Sequence, residues 1–415
     1  MVVHEKALIK YDMNSFLTKF TSVINITNDN SLLILYELNF SDGENHKNEI
    51  LIKYMNEANF KFDVEIINNL FKIFLAQLFL YRGNITLVAN EKELKIYEVI
   101  LRNLYLIRNY EESVLENINI PNLICTETLH SHINNKVEKK LVLNLISGGK
   151  DSLASDILLR NNDISVINCF IDGLNIKSNS EEHTACKKIY NNFCLISVKG
   201  FDELINIAIK HISSLGRPPV YNYIPRGRDL LSIAFSIPYA ISNHCEYITH
   251  SCEKDLWCAN INSNYGVIPM HDSQSYLVIK EINFLLKKLI EIGVFSPIAG
   301  LSEYYILSAL IKNHKYKLKQ IQSCFYGEWC GRCKKCMRYY LIQKSLCDTT
   351  FKFKSNPEKF LNSLKENVEK SITDNEYFSY QKEISYLLGL CKLDDTLLSL
   401  DYDELYPDYY TRWEL

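Results

Sequence analysis

Between Leu141 and Ser251 four short β-rich runs alternate with helical segments, and this alternation constrains the fold more than any other feature. The runs are "LVLNLI", "ISVINCFI", "NFCLISV" and "EYITHS", and helical segments begin near Ser152, Glu181, Phe201 and Asp229. Strands alternating with helices predict an α/β fold whose parallel sheet is covered on both faces.

The preceding residues follow a different grammar. "SLLILYELNF" and "NEILIKYM" flank the turn-rich "SDGENHK" and predict a hairpin. "FDVEIINNLFKIFLAQLFLY" carries apolar residues at helical spacing, with Gly83 as its stop. Together they predict a separate α+β domain over residues 1–130, with nothing catalytic in it. The stretch from Pro121 to Lys140 is polar and unpatterned, and residues 131–140 serve as the linker. The α/β unit then occupies residues 141–347, and a helical extension fills 348–415. Its end, "LDYDELYPDYYTRWEL", holds five acidic residues and four tyrosines, which suit a docked end or a partner contact.

One strand-to-helix junction in the α/β unit carries chemistry. Leu141–Ile146 runs into Ser147-Gly148-Gly149-Lys150-Asp151-Ser152, and a helix follows. The two glycines permit backbone angles and close approach that side chains would block. Their N–H groups, with those of the first helical turn, face outward where the helix dipole favours an anion. Ser147 and Ser152 can add hydroxyl donors and Lys150 a positive charge. Asp151 cannot hold phosphate directly, which leaves it to ligate a metal or order the loop. Asp172 ends a strand beside this loop, where open α/β sheets bind ligands. A turn capped by Ser and Asp is the plainer alternative. The complete S-G-G-K-D-S favours phosphate binding, and no G-x-x-x-x-G-K-[ST] loop is present.

A second motif is "SCFYGEWCGRCKKCMRYY". Cys324, Cys330, Cys333 and Cys336 can close a tetrahedron around Zn2+ with no open position. Arg332, Lys334, Lys335 and Arg338 would offset part of the thiolate charge. An iron–sulfur cluster is the rival, but the fourth ferredoxin cysteine precedes a proline and Cys347 does not.

Composition sets the remaining bounds. Hydrophobic residues make up 47% and charged residues 23%, ordinary for a globular protein. A net charge of −3 leaves no electrostatic footprint for nucleic acid. "MVVHEKALIKYDMN" is charged where a signal peptide needs an apolar core, and "LFKIFLAQLFLY" is too short to span a bilayer. Thirteen cysteines with one tight cluster fit a reducing compartment. A cytoplasmic protein without membrane or nucleic-acid contacts is expected. His183, His250 and His271 are expected in core or surface roles rather than as catalysts.

The loop resembles the PP-loop of the ATP pyrophosphatase superfamily, whose members generally bind ATP and activate a substrate oxygen by adenylation. With the four cysteines it resembles the 7-cyano-7-deazaguanine synthase (QueC) family of queuosine biosynthesis, over roughly Leu141 to Gln343. "YNYIPRGRDLLSIAFSIPYAI" looks like that family's tyrosine–valine–proline, glycine–arginine–asparagine segment, with Arg228 on the arginine and Asp229 in place of the asparagine. "SCEKDLWCANINSNYGVIPMHDSQSYLVIKEINFLL" looks like its stretch with an acidic pair, Asp255 and Asp272 matching the two aspartates. Ser273 and Gln274 stand where the family has cysteine and arginine. "FSPIAGLSEYYI" resembles the segment before the zinc site, and "FIDGLN" keeps only Asp172 of the corresponding family run.

The resemblance implies an adenine nucleotide alpha hydrolase-like sheet. It also implies ATP and Mg2+ at Ser147–Ser152 and Asp172, and Zn2+ at the four cysteines. Lys150, Asp151 and Arg228 would be catalytic, and Arg228, Asp255 and Asp272 would meet the substrate; Arg228 can equally pair with Asp229. The implied activity is carbon–nitrogen ligation on the carboxylate of a 7-deazaguanine-type molecule. Enlarged QueC-like proteins occur in antiphage systems such as Qat and type IV CBASS, which implies a protein partner from the same operon. A PP-loop nucleic-acid modifier and a non-catalytic nucleotide sensor remain as alternatives.

Overall fold

Ten strands form one sheet in the order β12-β9-β6-β7-β8-β3-β2-β1-β4-β5. The structure is a computed structural model describing residues 17–27, 31–55, 62–76, 78, 86–90, 122–126, 141–174, 180–214, 228–257, 260–263, 266–269, 273–324, 329–362, 387 and 391. The strands are β1 (Leu17–Ile26), β2 (Ser31–Phe40), β3 (Asn45–Tyr54), β4 (Thr86–Asn90), β5 (Asn122–Thr126), β6 (Leu141–Ile146), β7 (Ser165–Asp172), β8 (Cys194–Lys199), β9 (Tyr247–Thr249) and β12 (Gly293–Phe295). A separate hairpin joins β10 (Asn260–Ser263) to β11 (Gly266–Pro269).

From β12 to β8 every neighbour is parallel. Read from β8 to β12 and numbered from β6, this part runs 3-2-1-4-5. That is a doubly wound order, and its direction reverses between β6 and β9. Expected and observed elements coincide closely here, with helices α2 (Lys150–Asn161), α3 (Ser180–Ile189) and α4 (Phe201–Ser214) following β6, β7 and β8, and α5 (Arg228–Ser242) leading into β9. The expected hairpin is β2–β3, with Asn39 opposite Asn45. The expected first helix is α1 (Val64–Ala76). Gly83, most of the C-terminal extension and its acidic tail lie outside the described residues.

The N-terminal strands share the sheet of the α/β unit. β3 pairs antiparallel with β8, from Leu51 opposite Lys199 to Tyr54 opposite Ile196. Without that pairing β8 would leave a row of open backbone groups, and β3 covers it. At the far edge β4 and β5 add in parallel, and β5 occupies part of the stretch that reads as polar connector.

Helices cover both faces of the parallel part. One core takes α1, α4, α5 and α7 (Tyr276–Ile290) against Leu143, Cys169, Ile171, Ile196 and Ile248. The other takes α2, α3, α8 (Glu303–Asn313) and α10 (Lys334–Ser345) against Ile146 and Phe170. Cys169, Phe170 and Ile171 thus alternate between cores, as the pleat requires. The short helices α6 (Lys254–Trp257) and α9 (Lys315–Leu318) complete the connections. No described helix is long and apolar enough to cross a membrane.

Phe235 of α5 ties the N-terminal segment to this core. Its ring lies 5.5 Å from Phe71 of α1 and 5.9 Å from Phe201 of α4. Tyr54 Oη donates to the Phe235 carbonyl at 3.1 Å. Phe235→Ala is expected to cost about 3–5 kcal/mol in chemical denaturation. A single transition shifted by that amount is the expected result; a loss confined to an early partial transition would show that the two segments fold apart.

Candidate functional site

The glycine loop has two distinct glycines. Gly148 has φ +72, and a Cβ there would stand 2.9 Å from both Ala185 Cβ and the Glu182 carbonyl of α3, so only glycine fits. Gly149 is extended (φ −91, ψ 175) and caps α2 without any side-chain hydrogen bond. A Cβ at Gly149 would meet only ordinary contacts, the nearest being Ser147 Oγ at 3.5 Å. The first N–H groups of α2 therefore lack a capping side chain at the positive end of the helix. Ser152 plays an internal role, since its hydroxyl donates to the Gly149 carbonyl (3.3 Å) and accepts from Ser147 N and Tyr190 Oη (3.4 Å each).

Lys150 does not reach out from the loop. Its ammonium is buried and contacts Asp151 Oδ1 at 2.5 Å, Glu253 Oε2, and Glu303 Oε1 at 3.3 Å. Glu253 follows β9, and Glu303 opens α8, where Ser302 Oγ accepts from Tyr305 N at 3.2 Å. Burial alone would lower the pKa of Lys150, but the three carboxylates hold it well above its ordinary value. Burial likewise pushes Glu303 up, but Arg338 and then Lys150 keep its carboxyl below the usual range. Arg338 Nη2 donates to Glu303 Oε1 at 3.3 Å, while its Nε stands 2.6 Å from Oε2 off the hydrogen-bonding axis. Lys335 borders the same cluster, its pKa lowered by burial and by the cations Arg338 and Lys150.

This cluster sits where the sheet reverses direction. The Lys150–Glu253 contact joins the loop after β6 to the loop after β9, across the crevice in which doubly wound sheets bind ligands. Asp172 ends the adjacent β7, half-buried. Near it, His183 stacks on Phe170 at 5.2 Å, and burial lowers its pKa, with Lys187 adding to that and Asp172 opposing it. Arg228 opens α5, but its side chain and that of Asp255 are outside the described residues, as is all of Asp272 and His271. Asp229 Oδ2 accepts from Ser273 Oγ (3.1 Å) and Gln274 Nε2 (3.0 Å), which joins the start of α5 to the residues before α7. His250 Nε2 donates to the Ser273 carbonyl at 2.6 Å, a structural role.

The four cysteines also converge. Their sulfurs all lie within 4.8 Å of one another, with Cys324–Cys333 and Cys330–Cys336 both at 3.9 Å. Thiolates about 2.3 Å from one tetrahedral ion would stand about 3.8 Å apart, so the donor set fits a single metal ion. Backbone N–H groups of Cys330, Arg332 and Cys336 point at the sulfurs of Cys324, Cys330 and Cys333 at 3.4–3.5 Å. Gly331 makes the turn at φ +77, where a Cβ would fall 2.0 Å from the Ser355 carbonyl.

The two motifs touch. Gln322 N donates to the Gly148 carbonyl at 2.8 Å, and Tyr339 Oη donates to Ser323 Oγ at 3.1 Å. Arg332 and Lys334 stay exposed, whereas Lys335 and Arg338 turn to the Lys150 cluster. Positions 335, 338 and 339 share one side of α10, which explains why sequence proximity to the thiolates misleads. Glu253 and Glu303 escaped the sequence reading. Their only signals are a carboxylate just past a strand's end and another directly after a helix cap.

Residues 284–413 match the model of a family of unknown function (DUF6395). That match spans less than a third of the chain; it includes the cysteine cluster, Glu303 and Arg338, and excludes the glycine loop. No curated protein matches the chain.

Proposed function

We propose that the chain is a QueC-like PP-loop enzyme, an ATP-dependent carbon–nitrogen ligase acting on the carboxylate of a 7-deazaguanine-type molecule. The observation that carries this reading is the uncapped glycine loop at the sheet's reversal point, with a buried charged cluster beneath it. ATP phosphates would lie against Gly149 and the first N–H groups of α2. Asp151 would hold the accompanying Mg2+, which supplies charge neutralisation. Relieved of that carboxylate, Lys150 would share its charge with the transferred phosphate.

The chemistry is adenylation followed by substitution. A substrate carboxylate oxygen attacks the α-phosphorus, the bond to the β-phosphate oxygen breaks, and pyrophosphate leaves. Ammonia then adds to the acyl carbon, loses a proton, and expels AMP to give the amide. A second ATP can activate the amide oxygen, and loss of AMP with a proton gives the nitrile. In antiphage defence a partner protein's amine would replace ammonia, giving a covalent adduct instead. Zn2+ would occupy Cys324, Cys330, Cys333 and Cys336 in a structural role, since four thiolates leave no open position.

Pyrophosphate release with a 7-carboxy-7-deazaguanine probe tests the reading. Asp151→Ala is expected to lower turnover by at least about a hundredfold. Gly149→Val is expected to do the same with the fold intact, because its Cβ has room while the anion's approach is blocked. ATP binding without turnover would favour the nucleotide-sensing alternative. Adenylate transfer to an RNA instead of the deazapurine would favour the nucleic-acid modifier, and unchanged turnover in both variants would remove the loop from the site.

A further inference from the structure

We propose that Arg338 is a positioning residue for the glycine loop and that it couples the cysteine site to nucleotide binding. The inference rests on the nucleotide-binding reading above.

Two links run from the cysteines to the loop. One is ionic: Cys336 lies two residues before Arg338, whose Nη2 donates to Glu303 Oε1 and whose Nε makes an ionic contact with Oε2, and Glu303 contacts Lys150. The other is through the backbone: Cys324 lies two residues after Gln322, whose N–H holds the Gly148 carbonyl. Tyr339, next to Arg338, bonds Ser323, next to Cys324, and so ties the links together. Metal closure of Cys324 to Cys336 fixes both starting points relative to each other.

The consequence lies in how Lys150 is shared. Glu303 is 2% exposed and stays ionised because Arg338 and Lys150 both face it. With Arg338 gone, Lys150 becomes its main counter-charge and is drawn toward it. An ammonium held that way is less free to serve a phosphate. Arg338 therefore sets how much of Lys150 is available, without touching the nucleotide itself. Because α10 carries both Arg338 and Cys336, ligand occupancy at one end should register at the other, and linkage makes the effect reciprocal.

Reciprocity supplies a measurement independent of catalysis. The rate of metal transfer from the intact protein to a chromophoric chelator is compared with and without ATP–Mg2+. ATP is expected to slow transfer roughly tenfold, within the usual range of coupling between sites. In Arg338→Met the ATP effect should vanish and KM for ATP should rise by a similar factor, while kcat changes less and one metal per chain remains. Arg338→Lys keeps the charge without the fork and should fall between; it decides the matter if Arg338→Met does not fold. If calorimetry shows that the wild-type protein binds no ATP, the functional reading fails and takes this inference with it. If ATP binds but leaves metal transfer unchanged, or slows it equally in the Arg338 variants, the coupling alone is overturned.

Discussion

Purified protein should carry one zinc per chain and little iron, and Cys333→Ser should lose the metal. The four sulfurs are spaced for one ion, and a four-iron cluster would need each thiolate on a different iron, more widely set. Structural zinc of this kind contributes on the order of 10–16 kcal/mol at neutral pH, more than the net stability of most domains. The loss should not stay local. Trp329 packs against Tyr339 at 4.9 Å and Phe351 at 4.7 Å, and both rings belong to the core that covers α2 and α3. Chelation should therefore expose Trp329 fluorescence and lower solubility together. Metal analysis and absorbance decide the identity: a visible band with labile sulfide would replace zinc by an iron–sulfur cluster. A metal-free protein with unchanged melting would mean that the cysteines hold their places by packing alone.

Much of the parallel unit was legible because its rules are local. β6 to β9 and the helices between them announce themselves through period, and the glycine loop through composition at one junction. The cysteines are equally explicit, since no other structural role needs four within thirteen residues at C-x-x-C spacing. What stayed hidden depends on distant pairings. Nothing in "NEILIKYM" says that β3 will meet β8 rather than end a separate sheet, because alternation reports faces and not neighbours. β4 and β5, five residues each, are too short to show a period. The charged cluster was hidden for the same reason. Lys150 looks like a phosphate ligand in sequence, and only the arrival of Glu253 and Glu303 from two later elements turns it inward. Arg338 was assigned to the thiolates by nearness in sequence, whereas the turn of α10 gives it to Glu303.

That inward turn places Lys150→Met among the most damaging single substitutions expected outside the metal site. Methionine fills nearly the same volume, so the loss is electrostatic. It leaves Glu303 (2% exposed) in the core facing Arg338 and Lys335, and takes from Glu253 (6% exposed) its Lys150 contact. Removing one partner of a buried charged set typically costs about 3–5 kcal/mol. The pH dependence should change as well. In the wild-type protein Glu303 sits below its ordinary value of 4.5, so its contribution is complete above that value and fades only as pH falls through the lowered one. In Lys150→Met Glu303 loses one of the cations that hold its carboxyl down, so its titration moves upward from the wild-type position and protonation at lower pH offsets part of the loss. The deficit of the variant relative to the wild-type protein should narrow as pH drops from about 8 to about 6. Adding Glu303→Gln should restore part of the loss, because the double variant removes the charge that Lys150 had balanced. Denaturation midpoints at both pH values test this directly. A cost below about 1 kcal/mol with no change in pH slope would show that Lys150 faces solvent or ligand instead, and that its contacts with Glu253 and Glu303 do not hold in solution.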